Sequence, residues 1–145
     1  MSKLLIGVLT YNDLPYLRQS MPAVEKLRLL GSAEVAVIDT ANNREVREFF
    51  EKEYPEFHFF RHPEGNIGYG RANNEILKKF PGAEYYMCVT SDVLIDPIQV
   101  LQIVEKMDAD RSITMAAGKL YHWDFEENKT SDYIDSLGII AKKNH

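Results

Sequence analysis

Cysteine is nearly absent: the chain has one, Cys88, in 145 residues. No internal disulfide is possible, and a reducing compartment is expected. Positive charge is in deficit, with 17 Lys and Arg against 22 Asp and Glu and a net charge of -5. Generic electrostatic attraction to nucleic acid or to an anionic membrane is therefore not expected. No apolar stretch approaches the ~20 residues a membrane helix needs. Leu4–Leu9 follows Lys3, but it is too short for a signal h-region and no small-residue cleavage pattern follows it. Repeats, low-complexity tracts and linkers are missing too. What remains is a hydrophobic fraction of 45% and a charged fraction of 27%, which excludes intrinsic disorder. A chain of this length buries roughly two-thirds of its unfolded surface and folds without staples. One soluble, cytoplasmic domain spanning residues 1–145 is the expectation.

Strand and helix signals alternate along the chain. The continuous apolar run Leu4–Leu9 predicts a central strand covered on both faces. Helical spacing follows over Leu14–Leu30, interrupted at Pro22, where Ser20 is a candidate cap for a second segment. Gly31-Ser32 ends it, and Glu34–Asp39 is the second strand. Asn42 and Glu45 have capping-box spacing ahead of a helix to Glu53, which Pro55 cannot continue. Phe57–Arg61 alternates as a third strand, and a glycine-punctuated loop, Pro63–Gly70, precedes a helix over Arg71–Phe80. Tyr85–Val89 is the fourth strand. Asp96 and Pro97 start a helix to Met107. A fifth strand is expected over Ile113–Leu120 and a late one over Tyr133–Ile140, with a polar stretch, His122–Ser131, between them. This pattern predicts an α/β fold: a Rossmann-like, doubly wound, mostly parallel sheet with helices on both faces.

In such a sheet, ligands bind beyond the carboxyl ends of the strands, where the strand order reverses. Strand one ends in Thr10-Tyr11-Asn12, strand two in Asp39-Thr40 and strand four in Thr90-Ser91-Asp92. Tyr11 can stack on a base, Asp39 can accept from a base or ribose, and Asp92 can bind a metal. Thr10 and Thr40 are equally well explained as turn formers. The loop Gly65–Asn74 offers φ > 0 positions and exposed N–H groups at a helix start, which favour anions; a plain strand–helix connection would need the same glycines. Its Gly68-x-Gly70-x-x-Asn73 lacks the third glycine of a dinucleotide fingerprint and follows the third strand. A Rossmann oxidoreductase is disfavoured.

Together these segments resemble the inverting family-2 glycosyltransferases of GT-A fold, particularly their rhamnosyltransferase-like branch. The resemblance runs from Ile6 to about Ile140. It rests on Val8–Asn12, on Val37–Asp39 with Asn42-Asn43, on Asn66-x-Gly68-Tyr-Gly70 with Asn73-Asn74, on Tyr86–Val93 with Pro97, and on Asp135–Gly138. It implies transfer of a sugar from a nucleotide diphosphate donor with the help of a divalent cation. Oxygen ligands suit Mg²⁺ or Mn²⁺, and Tyr11, Asp39 and Asp92 converging at adjacent strand ends lead to the expectation of a pyrimidine donor, UDP- or dTDP-linked. By the same resemblance Thr10, Tyr11, Asn12 and Ser91 lie on the nucleotide side, Asp39 faces the base, and Asn66, Gly68 and Asn74 shape the nucleotide-side loop. The family's Asp-x-Asp metal motif is here Thr90-Ser91-Asp92, so only the second carboxylate is present. Asp92 is the metal candidate, with Thr90 and His122 as secondary ones.

The family's general base lies in a later acidic motif, so the chain is expected to be the nucleotide-binding part of such an enzyme, cut short at the C-terminus. Asp124 and Asp135 are the remaining base candidates, although each also reads as a solvated turn carboxylate. The alternative is a non-catalytic nucleotide-binding module of the same fold that regulates or scaffolds a catalytic partner chain. Truncation is expected to favour a homo-oligomer. Cys88 reads as a small core residue. Arg71, at the helix start beside the glycine loop, reads equally as a diphosphate partner or a surface charge.

Overall fold

The strand β1 (Leu4–Thr10) is buried along almost its whole length because it pairs on both sides. It runs parallel to β2 (Glu34–Asp39) on one flank and parallel to β4 (Tyr85–Thr90) on the other. The computed structural model describes residues 3–136. It divides into two compact units, Met1–Ile98 and Gln99–His145.

In the first unit, β3 (His58–Arg61) completes a four-stranded parallel sheet of order β3-β2-β1-β4. Right-handed crossovers carry α1 (Leu14–Gly31) and α2 (Arg44–Glu53) over one face and α3 (Tyr69–Lys79) over the other. On the α3 face, Leu5, Ala36 and Ile38 pack with Ala72 and Ile76. On the opposite face, Phe59 of β3 meets Phe50 of α2 at 5.5 Å between ring centroids. The doubly wound expectation therefore holds, with helices on both faces.

Helix α1 runs straight through Pro22, contrary to the expected break. Its buried stripe of Leu17, Met21, Val24 and Leu27 is continuous across the proline, and that packing outweighs the lost backbone bond. Ser20 does not cap. It is buried, and its hydroxyl donates back to the Tyr16 carbonyl at 3.1 Å. The cap of α2 is Asn43 rather than Asn42: Asn43 Oδ1 accepts from Glu45 N at 2.8 Å, while Asn42 takes a left-handed φ of 55°.

Cys88 is exposed, not a core residue. β4 is the outer strand, and the register sets Cys88 against Gly7, which has no side chain to cover it. Gly7 is bare for a reason. A Cβ there would fall inside the radius of the Tyr86 hydroxyl, which crosses over it to donate to Asn73 Oδ1 at 2.6 Å.

The second unit holds most of α4 (Pro97–Ala109), whose Ile98 N–H is capped by Asp96 Oδ1 at 2.9 Å. It also holds an antiparallel hairpin of β5 (Leu120–Asp124) and β6 (Lys129–Ser136). The expected strand over Ile113–Leu120 is corrected: residues 113–119 form no strand, and β5 starts at Leu120. The polar stretch His122–Ser131 supplies residues of both strands and the turn between them. Asp124 accepts from Glu126 and Glu127 N–H groups, both at 2.9 Å, and closes that turn. Of the late strand expected to Ile140, and of the Asp135–Gly138 motif, positions 137–140 lie outside the described residues. No described helix is long and apolar enough to cross a membrane.

Gly7→Ala should lower the unfolding free energy by about 1–3 kcal/mol through overpacking against Tyr86, measured by urea denaturation. Pairing it with Tyr86→Leu, which vacates the contested space, should cost less than the two single changes added together.

Candidate functional site

The sheet register levels the strand ends: Thr10 is opposite Asp39, Asp39 is opposite Arg61, and Leu9 is opposite Thr90. The chain leaves β1 toward β2 and returns through β4 on the other flank, so strand order reverses between β1 and β4. A cleft of about 370 Å³ opens there, within the roughly 300–1,000 Å³ of small-molecule sites. Leu9, Thr10 and Tyr11 form its β1 wall, and Thr90, Ser91 and Asp92 form its β4 wall. Asp13 and Tyr16 enter from the first turn of α1, and Asn66, Gly68 and Tyr69 from the glycine loop and the start of α3. Thr40, just past β2, completes it.

Thr10, Tyr11, Asn66, Gly68, Ser91, Thr90 and Asp92 are thus brought together. Tyr11 lines the cleft and is 54% exposed. Asn66 Oδ1 accepts from Gly68 N at 3.0 Å, which folds the loop tightly enough to need a φ of 77° at Gly68. Asp92 is exposed.

Asn12, Asp39 and Asn74 do not form the cleft wall. Asn12 Oδ1 accepts from Asn43 Nδ2 at 3.0 Å, tying the β1 turn to the α2 cap. Asn74 is exposed on α3; its neighbour Asn73 is the buried one, bonded to Tyr86. Asp39 is fully buried. Its two oxygens accept from Ala41 N at 2.9 Å and Asn43 N at 2.8 Å, and Arg61 Nε stands 3.9 Å away. The carboxylate therefore builds the turn that carries Thr40 to the cleft. Burial pushes its carboxyl up from the ordinary value, opposed by those N–H groups and by Arg61.

Arg71 is engaged by Glu64 through two bonds of 2.8 Å, and Arg61 donates to Asn43 O at 2.9 Å. His122, Asp124 and Asp135 belong to the second unit. Backbone N–H groups of Glu127 and Glu126 hold the Asp124 carboxyl below the usual range, the wrong direction for a general base. Asp135 is exposed on β6.

Three cleft residues escaped the sequence reading: Asp13, Tyr16 and Tyr69. Asp13 is the N-cap of α1 yet makes no capping bond with its side chain. One of its oxygens accepts from Thr10 Oγ1 and the other from Ser91 Oγ, so it joins the ends of β1 and β4. Tyr16, three residues on, shares its helix face; that spacing was the available signal. Tyr69 follows Gly68 at the start of α3 and is 53% exposed.

The profile of glycosyl transferase family 2 matches residues 5–143. No curated protein is matched in sequence. Among solved structures, S. aureus TarS 1–349 is similar with a TM-score of 0.64 and 21% identity, over 75% of this chain and 33% of that one. Its complex with UDP-GlcNAc gives 0.61 and 17%, over 82% and 38%. The mannosyltransferase PcManGT from Pyrobaculum calidifontis, in complex with GDP-Man and Mn²⁺, gives 0.59 and 19%, over 83% and 34%. The chain spans about a third of the length of these proteins.

Asp39→Asn should leave one of the Ala41 and Asn43 N–H groups facing an amide nitrogen, at a cost of about 1–3 kcal/mol. The raised carboxyl predicts a sign as well. The folded state holds the Asp39 proton more tightly than the unfolded chain, so this group's stability contribution falls as pH rises from 3.8 through the folded value. Wild type should gain on the variant as the solution is acidified through that window, measured by denaturation at a series of pH values.

Proposed function

We propose that this chain, which belongs to glycosyl transferase family 2, binds a pyrimidine nucleoside diphosphate sugar, UDP- or dTDP-linked, in the cleft between the ends of β1 and β4. The observation that carries the reading is the reversal of strand order, with Tyr11, Asp92 and the Gly68 loop facing one cavity. In this reading Tyr11 stacks on the base, the Gly68 loop approaches the phosphates closely, and Asp92 faces the diphosphate. Asp39 acts through the Ala41–Asn43 turn, not by contact with the base.

The donor set fits Mg²⁺ or Mn²⁺. The Asp92 and Asp13 carboxylates and the Thr90 hydroxyl are hard oxygen ligands on one cavity. Among the described residues no three His, Cys, Asp or Glu side chains gather to hold a metal, so a bound ion would take the rest of its ligands from donor phosphates and water, as is usual for Mg²⁺. When bound, the ion supplies neutralisation of charge on the leaving diphosphate. PcManGT, similar in fold, is bound to GDP-Man and Mn²⁺, and TarS to UDP-GlcNAc.

Transfer with inversion needs a base within hydrogen-bond reach of the acceptor hydroxyl. Asp124 is tied into its own turn, and that tie argues against Asp124 as that base.

Calorimetry should give UDP or dTDP binding that strengthens with Mn²⁺. Tyr11→Ala should weaken it by about 1–3 kcal/mol through lost stacking, on the scale of base–aromatic contacts. Asp92→Asn should remove most of the Mn²⁺ enhancement. Wild-type affinity untouched by a chelator would refute the metal role, and no binding in any condition would refute the site.

A further inference from the structure

The part of the cleft rim that α3 supplies has little to hold it locally. Its N-cap, Gly68, has no side chain to cap with, and no acidic residue stands in the first turn. Ala72 and Ile76 seat the helix on the sheet, but apolar contact is non-directional and does little to oppose sliding or rolling. A polar connection to β4 supplies the direction. The Tyr86 ring passes over Gly7, where a Cβ would obstruct it, and its hydroxyl donates to Asn73 Oδ1 at 2.6 Å. Asn73 is buried, and its Nδ2 donates in turn to the Tyr69 carbonyl at 2.9 Å. Tyr69 lines the cleft. It is held at its other end too, because its hydroxyl bonds with the Asn73 side chain and the Cys88 thiol. Burial pushes both phenols up from their ordinary value, so Tyr86 stays a donor at neutral pH.

We propose that Tyr86 is a positioning residue for the nucleotide cleft. Acting through Asn73, it fixes the height and rotation of the first turn of α3, and with them the place of Gly68 and Tyr69 on the rim. This inference rests on the donor-binding reading of the same cleft. Tyr86 does not line the cleft, so its influence passes through two hydrogen bonds in series. Loss of its hydroxyl would leave the buried Asn73 amide oxygen without that donor. An amide that turns to find another partner then releases the Tyr69 carbonyl, and the rim loosens although every cleft residue is intact.

The test is a UDP titration with Mn²⁺ of wild type, Tyr86→Phe and Asn73→Ala, with Phe59→Leu as a control. Tyr86→Phe keeps the ring that packs against Ala72 and Ile76 and removes the hydroxyl alone. It should weaken UDP binding by on the order of tenfold, and the Ala72 and Asn73 amides should exchange faster with deuterium in the free protein. Phe59→Leu, on the opposite face against Phe50, should lower stability without moving UDP affinity, which separates positioning from stability. Because Tyr86 and Asn73 act in series, the double variant should bind little more weakly than the weaker single one. Should Tyr86→Phe fail to fold, Asn73→Ala carries the same expectation for affinity. Wild-type affinity in Tyr86→Phe, or effects of the two substitutions that add in full, would overturn the inference while leaving the cleft as the nucleotide site. Absence of UDP binding by wild type even with Mn²⁺ would overturn the donor-binding reading. Unchanged exchange at Ala72 and Asn73 in Tyr86→Phe would overturn the hold on α3 itself, with or without nucleotide.

Discussion

Parallel pairing of β1 on both flanks is the constraint from which the rest follows. A parallel neighbour can be reached only through a crossover, and here the crossovers leave β1 in one direction and come back to β4 from the other. Space therefore opens above the end of β1, and the backbone groups and side chains around that space must be satisfied locally. The chain does this with short polar side chains. Thr40 donates from both its N–H and its hydroxyl to the Thr10 carbonyl, and Asn43 both caps α2 and reaches Asn12. A rigid rim is the outcome, as a binding site needs.

Two carboxylates at this rim divide the work. Asp39 is buried and fully occupied by N–H donors of its own turn, so its charge is spent inside the protein. Asp13 is bonded to hydroxyls on two strands and still lines the cleft. The difference lies in where they sit. Asp39 is fully buried beneath its own turn, whereas Asp13 lines the cleft.

Alternation of apolar runs made the four-stranded sheet and its helices legible, because burial of β1 and β2 on both faces leaves few arrangements of Leu4–Leu9 and Glu34–Asp39. The hairpin was harder to read. Lys129–Ser136 is polar and largely exposed, and neither strand carries the apolar period that marks a buried one. Pro22 misled because the rule about proline is local, while the stripe from Leu17 to Leu27 acts over the whole helix. At the site, position after a strand end found Thr10, Tyr11, Ser91 and Asp92. It did not find Asp13, since an Asp before a helix reads as a cap, and only the folded chain turns that side chain toward Ser91, 78 residues away. Asp39 was legible as important, but its direction was not, because the sequence does not say which N–H groups surround a buried carboxylate.

The most direct test of the cleft is a titration of the ¹⁵N-labelled chain with UDP and Mg²⁺, followed by backbone amide shifts. Progressive, saturable shifts should concentrate at Thr10–Asp13, Thr40, Gly68–Tyr69 and Ser91–Asp92, the residues drawn together where strand order reverses. Shifts centred instead on the small hollow of about 100 Å³ beside Leu5, Glu34 and Phe80, with the β1 and β4 ends unmoved, would contradict the account.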